Sequence, residues 1–249
     1  MISQEYRGLI TDRALTKPST DGLWQDGILV ELGLPLNNLV GKKVLEVCCG
    51  GGGAVKEARA LGINYVGIDI LPILKEISLE SPLVANTPVD KRTEQTTHVN
   101  NNINEKKKEL IDMAQTNAVI AGDATLTLPF AENAFDIVLS CLGLPDYATD
   151  SKGAITSILE MIRIAKEKVV ISAGWNETNN PRGIIPIGVQ PNDFSFRMKD
   201  LLDELKTYGI AYTLVKDEKM PTPSVHIDVS AKDIKKISDN EKKFYMEQY

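Results

Sequence analysis

The feature that most constrains the fold is a run of four glycines, Gly50–Gly53, between a strand-like segment and a helix-like segment. The preceding segment, Lys43–Val47, is short and mostly apolar, as is typical of a strand buried between two helix layers. Glycines let the backbone turn sharply and approach a ligand with no Cβ in the way. The helix that follows offers free N–H groups to such a ligand. The sequence therefore predicts a ligand-binding turn at the carboxyl end of the first strand of a doubly wound sheet.

Further strand-like segments alternate with helical patterns along the rest of the chain. They are Tyr65–Ile68, Ala118–Ala121, Phe135–Leu139, Val169–Ala173, Tyr208–Val215 and Ser224–Ser230. Strands that alternate with helices indicate a parallel sheet covered by helices, and the short last connection favours an antiparallel pair. The predicted fold class is α/β: a doubly wound, Rossmann-like sheet of seven strands, mostly parallel with an antiparallel final pair, and helices on both faces.

The length of 249 residues fits one domain, so residues 1–249 are predicted to form a single unit. Two regions depart from the regular alternation. Residues 1–40 are predicted to be an N-terminal helical lid region. Residues 81–108 are predicted to be a polar insertion between the second and third strands, ahead of a helix near Glu105–Met113.

Composition and charge disfavour several classes of protein. The formal net charge is −6, so the chain lacks the basic balance expected of a nucleic-acid-binding protein. Its three cysteines, Cys48, Cys49 and Cys141, predict neither a disulfide framework nor a metal site. The sequence has no apolar run of about 20 residues and no recognisable targeting segment, so we expect a cytoplasmic protein without a membrane span. The sequence does not indicate an oligomeric state.

The glycine run does not match the usual phosphate-binding patterns. A dinucleotide fingerprint needs Gly or Ala where the chain has Val55 or Lys56, and a P-loop needs Lys where Ala54 follows Gly53. The alternative is a packing turn with no ligand. Four adjacent glycines lose much conformational entropy on folding, which favours a ligand over a packing role.

The residues around the run resemble the first motif of class I S-adenosylmethionine-dependent methyltransferases, Asp/Glu-x-Gly-x-Gly-x-Gly. The resemblance puts Glu46 at the acidic position, Cys48 at the first glycine, and Gly50 and Gly52 at the second and third. It implies that these four residues bind S-adenosylmethionine as cofactor. The chain most resembles the small-molecule branch that includes the ubiquinone and menaquinone biosynthesis methyltransferases.

Later strand ends extend the predicted cofactor site. The second strand ends in Asp69 and Ile70, and a carboxylate there can accept both ribose hydroxyls. Asp123 and Ala124 begin a segment that resembles the family's Gly-Asp-Ala…Leu-Pro-Phe…Phe-Asp-x-Val sequence. The resemblance implies that Asp123 accepts a hydrogen bond from the adenine amine and that Ala124 donates its backbone N–H to the ring. Ser140, at the end of the fourth strand, completes the set.

Catalytic candidates follow the fourth strand, beside the expected methyl group. Asp146 is predicted to orient or deprotonate an acceptor, and Tyr147 to wall the pocket. The alternative is a solvated loop acid next to a packing aromatic residue. The segment is not Asn/Asp-Pro-Pro-Tyr, so it does not resemble the methylases that act on amino groups of nucleic-acid bases or of glutamine.

Three functional hypotheses follow. The first is a methyltransferase that acts on a small-molecule acceptor. The second is a protein or RNA methyltransferase that uses the cluster Lys106–Lys108 as a contact. The third is a cofactor-binding partner protein without transferase activity, which cofactor binding without turnover would favour.

Overall fold

The described part of the chain, in a computed structural model, comprises residues 32–34, 38–70, 88–124, 126–141, 143–145, 151–172, 201–215 and 224–229. Seven strands form one sheet: β1 Lys43–Val47, β2 Asn64–Asp69, β3 Val119–Ala121, β4 Phe135–Cys141, β5 Ala165–Ser172, β6 Thr213–Val215 and β7 Ser224–Asp228. The helices are α1 Gly53–Ala60, α2 Arg92–Gln115, α3 Ser151–Ile164 and α4, residues 201–207. A single 3-10 turn, Val89–Lys91, precedes α2.

The strand order is β3-β2-β1-β4-β5-β7-β6. The pairs from β3 to β5 are parallel, whereas β7 runs antiparallel to both β5 and β6. This arrangement confirms the predicted fold class, including the antiparallel final pair. Because these five strands are parallel, the ends of β1, β2, β3 and β4 lie together at the carboxyl edge of the sheet.

The two faces of β1 belong to two separate cores. Leu45 and Val47 pack into the core covered by α3 and α4, whereas Val44 packs into the core covered by α1. Successive side chains of a strand point to opposite faces of the sheet, so a strand with helices on both sides contributes to both cores. Leu110 of α2 is fully buried in the same core as Val44.

The helix predicted near Glu105–Met113 begins earlier than expected, within the polar segment 81–108. The structure places one helix, α2, over Arg92–Gln115, instead of a polar excursion followed by a helix near Glu105–Met113. The hydrophobic pattern does not reveal this helix because few of its described side chains are buried, Thr96 and Leu110 among them. Glu, Lys and Gln nevertheless have good intrinsic helix propensity, and the segment contains neither Gly nor Pro.

Part of the predicted lid region is described. Leu32, Leu34 and Leu39 are buried in the same core as Val44, so these residues pack against the body of the sheet. Residues 1–31 lie outside the described residues, as do residues 81–87 of the expected insertion. No described helix is long and apolar enough to cross a membrane.

Candidate functional site

The turn after β1 is built from residues with positive φ. Cys48, Gly50 and Gly52 have φ values of 61°, 59° and 74°. Only glycine adopts this left-handed region without a steric cost, so Cys48 is held there by its surroundings. A hydrogen bond from the Cys49 N–H to the Ile68 carbonyl, at 3.2 Å, joins the start of the turn to β2.

The carboxylate of Asp69 is tied directly to this turn. Its Oδ2 atom accepts the backbone N–H of Gly50 at 2.7 Å, and the residue is only 7% exposed. The two elements are adjacent because β1 and β2 are parallel neighbours that end at the same edge. The predicted acid of β2 and the predicted glycine of β1 therefore belong to one constellation.

Helix α1 begins immediately after the turn, with Gly52 at its N-cap. No side chain caps its first turn, and that turn contains no acidic residue. Its backbone N–H groups and the positive end of the helix dipole are consequently available to an anionic group. A Cβ at Gly52 would overlap the Met113 side chain and lie 3.2 Å from Leu110, so α2 packs closely behind the turn.

Cys48 faces the loop that follows β4. A Cβ at Gly143 would lie 2.5 Å from the Cys48 Cβ and 2.7 Å from the Ser140 Oγ. The fully buried Ser140 hydroxyl accepts the Leu144 N–H at 2.8 Å and so shapes the beginning of this loop. Gly143 thus supplies the space that the Cys48 side chain uses.

Glu46 lies beneath the turn and is 2% exposed. The hydroxyl of Tyr65, from the neighbouring strand β2, donates to its Oε2 atom at 3.2 Å. Burial, together with the nearby Glu46 carboxylate, raises the pKa of Tyr65 well above its ordinary value, so the phenol stays protonated. Sequence analysis missed Tyr65 because nothing local distinguishes it from other aromatic residues that pack in a strand.

The predicted adenine segment begins beside Asp69. The backbone N–H of Gly122 donates to the Asp69 carbonyl at 2.9 Å, and the next residues are Asp123 and Ala124. Asp123 is half-buried, Ala124 is buried, and Ile70 is 8% exposed just past the end of β2. The ends of β1, β2 and β3 therefore bring together most of the residues predicted to bind the cofactor.

The two predicted catalytic residues, Asp146 and Tyr147, lie outside the described residues. In the part of the chain that is described, no group of three or more His, Cys, Asp and Glu side chains could hold a metal ion.

The arrangement fits S-adenosylmethionine. The uncapped N-terminus of α1 would hold the carboxylate of its amino-acid part, and the Asp69 carboxylate would accept the ribose hydroxyls. Asp123, which lies next to the end of β2 through the Gly122 hydrogen bond, would face the adenine amine. Gly50 and Gly52 carry no side chain and adopt the left-handed conformations that the turn requires.

Comparisons with known proteins agree with this fit. A family model described as a methyltransferase domain matches residues 20–147, slightly more than half of the 249 residues. No curated protein sequence is significantly similar to the chain.

Several solved structures align with most of the chain at low sequence identity. DesVI from Streptomyces venezuelae is 11% identical, with a TM-score of 0.50 over 87% of this chain and 96% of that chain. A SAM-dependent methyltransferase from Aquifex aeolicus is 14% identical, with a TM-score of 0.45 over 86% of this chain and 95% of that chain. Magnesium protoporphyrin IX methyltransferase from Synechocystis PCC 6803, solved with bound SAM, is 13% identical, with a TM-score of 0.44 over 86% of this chain and 82% of that chain. The matched domain and the fold place the chain in one family: it belongs to the class I S-adenosylmethionine-dependent methyltransferases, and S-adenosylmethionine is its cofactor.

Proposed function

We propose that this protein is an active enzyme that transfers a methyl group from S-adenosylmethionine to a small-molecule acceptor. The observation that carries the proposal is the 2.7 Å hydrogen bond from the Gly50 N–H to the buried Asp69 carboxylate, beside the uncapped helix α1. A carboxylate at the end of the second strand suits the ribose hydroxyls of such a cofactor, and an uncapped helix N-terminus suits its carboxylate. Together they favour a working cofactor site over a structural remnant.

The chemistry asks little of the protein beyond geometry. S-adenosylmethionine supplies a methyl group already activated on a sulfonium, so transfer is an in-line displacement. The nucleophile forms a bond to the methyl carbon while the sulfur–carbon bond breaks. The chain has to orient both molecules and exclude water. A general base is needed only where the nucleophile arrives protonated.

The charges near the site favour a small acceptor over a polyanion. The net charge is −6, and the charged side chains at the ends of β2 and β3, Asp69 and Asp123, are both acids. A site for RNA would place basic side chains along the backbone track. On α2, Lys107 and Lys108 are followed by the exposed acid Asp112, which is typical of a solvated helix face.

Asp146 and Tyr147 remain our candidates for the acceptor side. They follow Leu144 and Pro145, the last described residues of the loop that Ser140 shapes after β4. We propose that Asp146 orients or deprotonates the acceptor and that Tyr147 walls the pocket. If Asp146 is a base, Asp146→Asn lowers kcat and flattens the acidic limb of the pH–rate profile, with cofactor affinity unchanged.

Two measurements on the purified full chain test the proposal. Calorimetric titration with S-adenosylmethionine and S-adenosylhomocysteine measures cofactor binding. An assay for S-adenosylhomocysteine release then measures turnover across panels of small amines, phenols, thiols and carboxylates, with unstructured RNA and a mixed peptide pool alongside. Asp69→Ala serves as the background control, because it keeps the turn sequence and removes the carboxylate.

Micromolar binding, with turnover confined to small molecules, supports the proposal. Turnover on RNA or peptides would mean that the methyl acceptor is a macromolecule. Binding without turnover on any panel supports a cofactor-binding partner protein. A folded wild-type chain that binds neither S-adenosylmethionine nor S-adenosylhomocysteine contradicts the proposal.

A further inference from the structure

The loop between β3 and β4 is anchored from the far side of the sheet. It leaves the carboxyl edge at Gly122 and carries Asp123 and Ala124 in its first turn. Its middle, Leu128–Phe130, meets helix α3, which covers the opposite face from α1. The contact is made by two side chains one helical turn apart, Glu160 and Arg163.

These two side chains make three hydrogen bonds to the backbone of the loop. Arg163 donates from Nη1 to the Phe130 carbonyl at 2.8 Å and from Nη2 to the Leu128 carbonyl at 3.0 Å. Glu160 accepts the Leu128 N–H at 2.9 Å through Oε2. The pair is also joined to itself, through Arg163 Nε to Glu160 Oε1 and Arg163 Nη2 to Oε2, both at 2.8 Å.

Low exposure makes this arrangement stronger than a surface ion pair. The side chains of Arg163 and Glu160 are 11% and 16% exposed, so solvent screens them little. Their mutual geometry is bidentate, which fixes the orientation of the guanidinium as well as its position. Leu128 itself is 2% exposed, so the anchored residue has no room to shift.

Of the described residues between Asp123 and the anchored Leu128, Ala124 is buried, whereas the two that precede Leu128 have little packing of their own. Leu126 is 63% exposed and Thr127 is exposed. Hydrogen bonds hold the chain on both sides of Asp123. One flank is the Gly122 N–H bonded to the Asp69 carbonyl, and the other is Leu128 held by the pair.

We propose that Glu160 and Arg163 are positioning residues that set the selectivity of this methyltransferase for the adenine base of its cofactor. The inference rests on the proposed function and on the adenine contacts that the family resemblance implies, in which Asp123 accepts a hydrogen bond from the adenine amine and the Ala124 N–H donates to the ring. A hypoxanthine base reverses both groups, since it presents a carbonyl oxygen and a ring N–H at those positions. Discrimination between the two bases therefore depends on how firmly Asp123 and Ala124 are held.

The test compares S-adenosylhomocysteine with S-inosylhomocysteine by calorimetry on the full chain. We expect wild type to prefer the adenine ligand by roughly 100-fold, as two hydrogen bonds are mismatched in the other. Arg163→Lys keeps the positive charge but loses the planar guanidinium that donates to both carbonyls. We expect it to reduce the ratio of the two affinities about tenfold, mainly by weakening the binding of S-adenosylhomocysteine. Glu160→Gln, which retains an acceptor for the Leu128 N–H, should reduce it less.

Arg59→Lys is the matched control. Arg59 also donates to two backbone carbonyls, those of Tyr65 at 3.3 Å and Thr116 at 3.4 Å, but touches neither Leu128 nor Phe130. Because a ratio of affinities does not depend on the folded fraction, lost stability alone leaves it unchanged. An unaltered ratio in both Arg163→Lys and Glu160→Gln, in a wild type that binds S-adenosylhomocysteine, overturns this inference only. A wild type that binds neither ligand removes the proposed function and this inference together.

Discussion

Two aspartates make the same hydrogen bond at opposite edges of the sheet. At the carboxyl edge, Asp69 Oδ2 accepts the Gly50 N–H at 2.7 Å, and at the amino edge Asp136 Oδ2 accepts the Lys43 N–H at 2.7 Å. Their surroundings differ. Lys166 Nζ lies 3.4 Å from the Asp136 carboxylate, and Lys42 pairs with Glu167 at 2.6 Å nearby.

This difference distinguishes groups that stabilise the fold, at the amino edge, from groups suited to bind a ligand, at the carboxyl edge. At the amino edge Asp136 and Glu167 each have a lysine partner from the chain itself. At the carboxyl edge Cys48, Gly50 and Gly52 are in left-handed conformations, and helix α1 has no capping side chain. Groups left for a ligand and backbone held at a steric cost are typical of functional sites.

The largest expected effect is on cofactor affinity, from Asp69→Asn. The amide oxygen of asparagine can still accept the Gly50 N–H, but its NH2 group cannot accept a ribose hydroxyl. We expect the Kd for S-adenosylhomocysteine to rise by roughly 100-fold. Calorimetric titration checks this directly.

Asp136→Asn is the control for that substitution, because it changes the same kind of interaction at the other edge. The Kd of this variant for S-adenosylhomocysteine should stay within about twofold of the wild-type value, because the substitution is far from the proposed site. Equal losses of affinity in the two variants would abolish the distinction between the edges.

Gly52→Ala is expected to reduce the free energy of unfolding by about 2 kcal/mol. An alanine pays roughly 1–2 kcal/mol in the left-handed region, and its Cβ would also crowd Met113. Chemical denaturation measures the total. In a Met113→Ala background the closest of these contacts is removed, so the penalty should be smaller.

Gly41→Ala isolates the backbone strain at the amino edge. Gly41 has a φ of 78°, close to the 74° of Gly52, yet a Cβ there would meet nothing within 4 Å. We expect a loss of about 1 kcal/mol with no change in cofactor binding. A Gly41→Ala variant as unstable as Gly52→Ala would show that crowding by α2 contributes nothing.

A double-mutant cycle tests whether Cys48 and Gly143 are mutually fitted. Gly143→Ala places a Cβ 2.5 Å from that of Cys48, and we expect it to cost about 1–2 kcal/mol by overpacking. In a Cys48→Gly background the penalty should fall by about 1 kcal/mol. Denaturation of the four proteins gives the coupling free energy, and Cys48→Gly alone should still bind S-adenosylhomocysteine. Additive effects would mean that Cys48 and Gly143 do not share this space.

Much of the fold was predictable because it depends on local apolar runs. The predicted bounds of β1, Lys43–Val47, match the observed strand, and the antiparallel pairing of β6 with β7 followed from the short connection between them. Helix α2 was not predictable in full, since a mostly solvated helix has too few buried positions to set a period.

Parts of the site were predictable and parts were not. The motif put Asp69 and Gly50 at neighbouring strand ends, where the structure joins them by a hydrogen bond. Contacts that cross the molecule could not be read from the chain. Arg163 reaches Phe130, 33 residues away, and no local pattern in α3 distinguishes that arginine from a solvated one. Such contacts depend on how whole elements pack, which a sequence alone does not specify.

The smallest expected effect is the pH-dependent stability that Asp136 gives to the amino edge. The hydrogen bond from the Lys43 N–H, with help from Lys166 and against the effect of burial, holds the pKa of Asp136 below its ordinary value of 3.8. A depressed carboxylate pKa stabilises the folded state above the pKa of the unfolded chain, and this contribution is lost as the pH falls through the folded pKa. Asp136→Asn should therefore destabilise the protein by about 0.5–1 kcal/mol at pH 7 and by progressively less below about pH 4. Urea denaturation of wild type and variant at several pH values measures the difference, in which the other titrating groups cancel. A difference that stays constant down to pH 2 would mean that the charge of Asp136 adds nothing to the stability of the folded state.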